Sequence, residues 1–233
     1  MFYEKERKMV PHIIEGLKNV FSINKKIAIA EELTVSSRII DLVFLTIENE
    51  DLLDEEIINK LKRLNSSEQY ILSLMSEYGD FSIQKIASDT FSDYYNIKND
   101  YIELFLKLNL IEQLSRYRFK VIEPLINSIG ELYAVEAKLS RWKEAIAQAE
   151  DTKKFADYSY VAMDAEFANE KKNAIISHFT EKNIGLILVD EDGSLSTAVN
   201  TKKVNSKNKT ESRLQQLKAL QDFNTNKKWK VLN

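Results

Sequence analysis

Three charged residues, Asp41, Glu136 and Lys138, have the types and settings that metal-assisted hydrolysis of a phosphodiester would need. A cation that activates water calls for hard oxygen ligands, and Mg²⁺ takes one or two carboxylates while keeping several waters. Asp41 interrupts the apolar run RIIDLVFLTI, residues 38–47, where an unpaired carboxylate is expensive. Glu136 and Lys138 stand two apart in LYAVEAKL, residues 132–139. In a strand alternate residues share a face, so the glutamate can hold an ion while the lysine polarises the attacking water. An isolated E-x-K is common on solvated strands, so the argument depends on the combination with Asp41.

These residues need a sheet to position them. Residues 25–35 and 38–47 have strand composition, and the second segment is apolar on both faces except at Asp41, as a central strand is. Ahead of them Met9, Ile13, Leu17 and Val20 recur at helical spacing, so an amphipathic helix is expected over residues 4–21, with Glu6 on its apolar stripe. Strand character returns at 132–139. A helix over 142–156, a strand over 158–163, a helix over about 166–182 and the apolar strand IGLILVD are expected next, with a turn at Asp192 and Gly193.

Residues 54–122 differ in character. Ser66 and Ser67 can cap a helix through Tyr70, Ile71 and Leu74 that ends at Gly79; Ile83–Ala87 suits a second helix, and Tyr101, Ile102, Phe105 and Leu108 a third. The alternating IEQLSRYRFKVI then reads as two strands about a turn near Ser115 and Arg116. Three helices followed by a hairpin is the order of a winged helix-turn-helix.

RIIDLVFL and the later YAVEAKLSRWKEAIAQAEDTKKFADYSYVAM together resemble the PD-(D/E)xK, restriction-endonuclease-like nucleases in order and residue type. In that family an aspartate interrupts one core strand, E-x-K lies on the next, and a helix carrying a glutamine precedes another core strand. The resemblance spans residues 1–50 and 131–190 and is most specific between Glu136 and Met163. It implies an α/β fold with a central mixed sheet flanked by helices, Asp41 and Glu136 as metal ligands, Lys138 as catalytic lysine and Gln148 as a supporting active-site residue. It also implies Mg²⁺ as cofactor, with Mn²⁺ able to substitute, and DNA as substrate. Glu6 and Glu32 match places where relatives carry a further acidic residue near the metal, although Glu31 competes with Glu32 for its position. Ile40 replaces the proline of the motif's name. The long interval between Asp41 and Glu136 implies that the winged helix is inserted between two core strands.

The expected organisation is therefore a nuclease-like core of residues 1–53 and 131–200, a winged helix-turn-helix insertion of residues 54–130 and a basic tail of residues 201–233. That tail has nine Lys/Arg against Glu211 and Asp222, a net charge of +7 within a chain of -3 overall. It could hold phosphates through counterion release or stay a solvated end, while the amphipathic stretch at Leu214, Leu217 and Leu220 and Trp229 within KKWK point to docking of part of it. Between Leu64 and Ile122 acidic residues outnumber basic ones eight to six, and only the expected wing, with Arg116, Arg118 and Lys120, offers cations to a nucleic acid. With no cysteine and two histidines, thiolate sites and histidine-built metal centres are excluded. No glycine-rich phosphate loop is present, so no nucleotide cofactor is expected. No apolar run reaches the roughly 18 residues of a membrane span, and the charged N-terminus lacks a signal's apolar core, so a cytoplasmic protein is expected. A homodimer suits cleavage of both strands. The alternative is a non-catalytic winged-helix DNA-binding or regulatory protein on a nuclease-like scaffold.

Overall fold

The apolar segments around Asp41 and Glu136 are neighbouring inner strands of one sheet, which is why the second is buried throughout and the first from Leu42 onward. A computed structural model describes residues 6–21, 25–35, 38–48, 54–126, 129–222 and 230–232. From the N-terminus a 3₁₀ turn, Glu6–Lys8, leads into α1 (Val10–Val20), β1 (Ile27–Val35) and β2 (Arg38–Thr46). There follow α2 (Glu55–Leu61), α3 (Ser66–Tyr78), β3 (Asp80–Phe81), α4 (Ile83–Asp89) and α5 (Tyr94–Asn96). A π-helical stretch, Ile97–Ile102, continues into α6 (Glu103–Lys107), then β4 (Ile111–Ser115), β5 (Arg118–Val121) and α7 (Glu123–Ile126). The chain goes on through β6 (Leu132–Lys138), α8 (Trp142–Thr152), β7 (Tyr158–Asp164), α9 (Ala165–Glu170) and α10 (Lys172–Glu181). It closes with β8 (Gly185–Val189), β9 (Leu195–Val199), α11 (Lys209–Gln221) and β10 (Lys230–Leu232).

Two compact units result. The first comprises residues 1–46, 131–207 and 228–233, and the second residues 47–130 and 208–227. The first is an α/β unit whose seven strands run in the order β10-β1-β2-β6-β7-β8-β9. The parallel trio β6, β7 and β8 is joined by helical crossovers, α8 and then α9 with α10, as parallel neighbours require; the other pairs are antiparallel. One face of the sheet buries Ile13 and Leu17 of α1 against Leu42, Phe44, Val135 and Ala162, with the Phe44 and Tyr133 rings stacked at 4.4 Å. The other buries Ala145 and Ala149 of α8 and Ile175 and Phe179 of α10 against Val161, Met163 and Leu186. Helices on both faces explain the fully buried β6, which carries Glu136 and Lys138.

In the second unit, β3, β5 and β4 form a small antiparallel sheet beside helices α2 to α6. The cap of α3 is Asn65, not Ser66 or Ser67: its side chain accepts from the backbone N–H of Ser67 and Glu68 while the Glu68 carboxylate accepts from Asn65 N–H at 2.7 Å. This reciprocal box satisfies more orphan donors than a serine could, so the helix starts one residue later than its capping asparagine and ends on Gly79 at φ 69°.

Three other expectations are corrected. The helix expected over 166–182 is two, because Lys171 adopts φ -116° between them. The helix expected to run to Ala156 stops at Thr152, whose hydroxyl hydrogen-bonds Ser159 of β7. The tail is neither one segment nor shapeless: residues 201–207 lie in the first unit, α11 packs on α2 and α3 in the second, and β10 pairs with β1. Leu214, Leu217 and Leu220 are buried, so the amphipathic stretch expected there is what holds α11. The KKWK motif with Trp229 lies mostly outside the described residues, as does the start of the helix expected from residue 4. Among the described residues no helix is long and apolar enough to cross a membrane.

Candidate active site

Strand register is what brings the three residues together. β2 and β6 run antiparallel with Leu42 opposite Val135, so one step further Asp41 stands opposite Glu136. Facing residues of adjacent strands share a side of the sheet, and Lys138, two on from Glu136, shares it too. Residues 47–130 separate these neighbouring strands in sequence.

Glu136 and Lys138 are only 4% and 6% exposed, whereas Asp41 and Glu6 are half-buried. Asp41 Oδ2 accepts the backbone N–H of Ala137 at 2.8 Å and lies 3.7 Å from Lys138 Nζ. Lys138 Nζ donates to Ala137 O at 3.0 Å and to Glu6 Oε2 at 3.3 Å. Glu6 Oε1 in turn accepts the N–H of Leu139 at 3.4 Å. The 3₁₀ turn ahead of α1 thus carries Glu6 to the lysine. A buried ammonium without such partners would be strongly unfavourable, and here each of its donors has a nearby oxygen.

The Glu136 carboxyl is pushed up to about 7, first by burial and then by the negative charge and hydrogen bond of Asp41, with Lys138 and Arg38 offsetting part of the effect. Two carboxylates side by side in a buried sheet, one of them hard to ionise, form a pair whose charge a divalent cation would offset. Their hard oxygens fit Mg²⁺, which is content with two carboxylates and its own waters. The four carboxylates put forward from the sequence do not converge as one set, however: among the described residues no group of three or more His, Asp or Glu side chains forms a metal-holding cluster. Glu6 is engaged by Lys138 and Leu139. Glu32, level with Asp41 in the β1–β2 register, has its backbone at φ 48° and its side chain exposed.

Gln148 lies on α8, which covers β6 and β7. Its side-chain oxygen is sealed from solvent and has no hydrogen-bond partner, an unusual condition for a buried acceptor. Arg116, Arg118 and Lys120 belong to the second unit. Arg118 makes a two-pronged pair with Asp80 at 2.8 and 2.9 Å, Lys120 is paired with Glu123, and Arg116 lies over the Tyr117 ring at 5.2 Å. Sequence reasoning passed over Arg38 and Arg141, whose guanidinium groups lie near the cluster. Their signal was position: each is three residues from a central residue, Arg38 before Asp41 and Arg141 after Lys138.

Comparison of the chain with family models, curated proteins and solved structures yields no match, so the reading of the site rests on its own geometry.

Proposed function

We propose that the protein is a metal-dependent DNA nuclease of the PD-(D/E)xK kind. The observation that carries the reading is the register position of Asp41 opposite Glu136, with the Lys138 ammonium 3.7 Å from Asp41 in an otherwise apolar sheet. Nothing structural requires three charges to converge there, and replacing such a group by apolar side chains is often neutral or stabilising. In this reading Asp41 and Glu136 hold Mg²⁺ or Mn²⁺, which when bound supplies an acidified water and stabilises charge on the phosphate. Lys138 orients that water and stabilises the developing charge, and its ties to Glu6 and Ala137 O fix its direction. Gln148, on the helix that covers β6 and β7, would keep a supporting role through its unpartnered side-chain oxygen.

The sheet order β1-β2-β6-β7 with α8 between E-x-K and the next strand supports a restriction-endonuclease-like core. The succession α3, β3, α4, α5 with α6, β4 and β5 supports a winged helix-turn-helix in the second unit. Two of its three wing cations, Arg118 and Lys120, are paired with Asp80 and Glu123, which argues for a contact surface or substrate gate more than for reading base edges.

The test is incubation of wild type and Lys138→Ala with linear and circular, single- and double-stranded DNA in Mg²⁺, Mn²⁺ and EDTA. Cleavage by wild type alone, abolished by EDTA, is expected, and the circular substrates separate endonuclease from exonuclease. Absence of cleavage in every condition, with DNA bound tightly, would replace this reading with that of a non-catalytic DNA-binding protein.

A further inference from the structure

A site that hydrolyses a polyanion but presents Glu6, Asp41 and Glu136 needs cations that can reach outward. Lys138 is not one, since it is buried and turned onto Glu6 and the Ala137 carbonyl. Two arginines at the same end of the β2–β6 pair are placed differently. Arg38 opens β2, and continuing the register of Leu42 with Val135 sets it level with Leu139. Arg141 follows β6 at the entry to α8, its Nη2 4.0 Å from Glu6 Oε1. Their side chains are 54% and 65% exposed.

We propose that Arg38 and Arg141 form a phosphate-binding clamp for the nucleic-acid backbone on either side of the phosphodiester held at Asp41, Glu136 and Lys138. The proposal rests on the hydrolytic reading of that site. Each guanidinium is parked on a neighbouring carboxylate, Arg38 on Asp151 at 2.5 Å and Arg141 on Glu144 at 3.1 Å. Ion pairs this open to water add little to stability, so exchange for a phosphate is inexpensive. Guanidinium groups match phosphate oxygens two at a time, which an ammonium cannot do.

The clamp is tested by anisotropy of labelled duplex and single-stranded oligonucleotides on the full chain in EDTA, across roughly 50 to 300 mM salt. The chains compared are wild type, Arg38→Gln, Arg141→Gln and the lysine versions of both. Each glutamine variant is expected to lessen the slope of log affinity against log salt by about 0.9 on duplex or 0.7 on single strands, and to weaken binding on the order of tenfold at the lowest salt. The lysine variants keep the charge and therefore the slope, although not the two-pronged geometry. Loss of a structural ion pair would not change that slope. Glutamine variants with the wild-type slope, or a wild type that binds neither oligonucleotide, would overturn the clamp. Wild-type cleavage in Mg²⁺ with unchanged slopes sinks the clamp alone, while reduced slopes without any cleavage sink the hydrolytic reading and leave the clamp standing.

Discussion

Replacing Glu136 by glutamine should make the metal-free protein more stable above neutral pH and remove part of its pH dependence. The Glu136 carboxyl, buried and facing Asp41, is pushed up to about 7 in the folded chain, from the ordinary glutamate value of 4.5. Between those values the native state binds more protons than the unfolded one, so stability falls as pH rises through this window and levels off above it. That rise is worth about 3 kcal/mol by proton linkage, and with the carboxyl buried solvent screening takes little from it. Glutamine keeps the shape and cannot ionise. The stability difference between Glu136→Gln and wild type should thus grow by about 3 kcal/mol in favour of the variant from about pH 4 to 8, with its midpoint between the two values. Denaturant melts followed by tryptophan fluorescence in a Trp229→Phe background make Trp142, at the start of α8, the reporter. Parallel stability curves for the two proteins across that range would refute the electrostatic account of the site.

The same geometry makes further predictions. Asp41→Ala removes the acceptor of the Ala137 N–H and one counter-charge of buried Lys138, so it should cost about 3 kcal/mol in melts at neutral pH, and Asp41→Asn should cost less. A larger loss in the asparagine variant would contradict that ordering. Asn65→Ala removes the side-chain acceptor of the Ser67 and Glu68 N–H groups in the α3 capping box, leaving the backbone half intact, and should cost about 1 kcal/mol, read by far-UV melts. Arg118→Ala, which loses only an exposed pair with Asp80, should change stability by less than about 1 kcal/mol in the same assay. Ending the chain at Lys207 uncovers the partners of Leu214, Leu217 and Leu220, a loss of about 6 kcal/mol at roughly 2 kcal/mol per buried leucine. That is comparable to the whole stability of many domains, so proteolysis should attack the second unit of the truncated chain first.

The central site was legible because its signals are local. A lone carboxylate in an apolar run and an E-x-K of period two carry their faces with them, and the antiparallel register then aligned Asp41 with Glu136. Contributions that depend on approach from elsewhere in the chain were not legible. The position of Glu6 on a helical stripe gave no warning that its carboxylate would cross to Lys138 and Leu139 instead of joining Asp41 and Glu136. Glu32 had the right register, but its backbone turns to φ 48°, which alternation cannot foresee. Arg38 and Arg141 were invisible because exposed arginines are ordinary; only the neighbours they meet set them apart.

The tail shows packing outweighing charge. Nine basic residues spread over 33 positions read as a solvated end, but the amphipathic stretch at Leu214, Leu217 and Leu220 pointed to docking, and these leucines make one buried stripe. Two glutamines beside them are also used: Gln216 donates to the Gly130 carbonyl, and Gln221 to the Leu61 and Leu64 carbonyls near the end of α2. Such bonds satisfy backbone groups that water would otherwise need to reach, so burying glutamine there carries little penalty. Because β10 then returns to pair with β1, the C-terminal residues contribute to both units. Each unit therefore needs strands or helices separated by more than a hundred residues: the sheet holding Asp41 and Glu136 gains its last edge strand only at β10, and the second unit gains the helix that covers α2 and α3 only at α11.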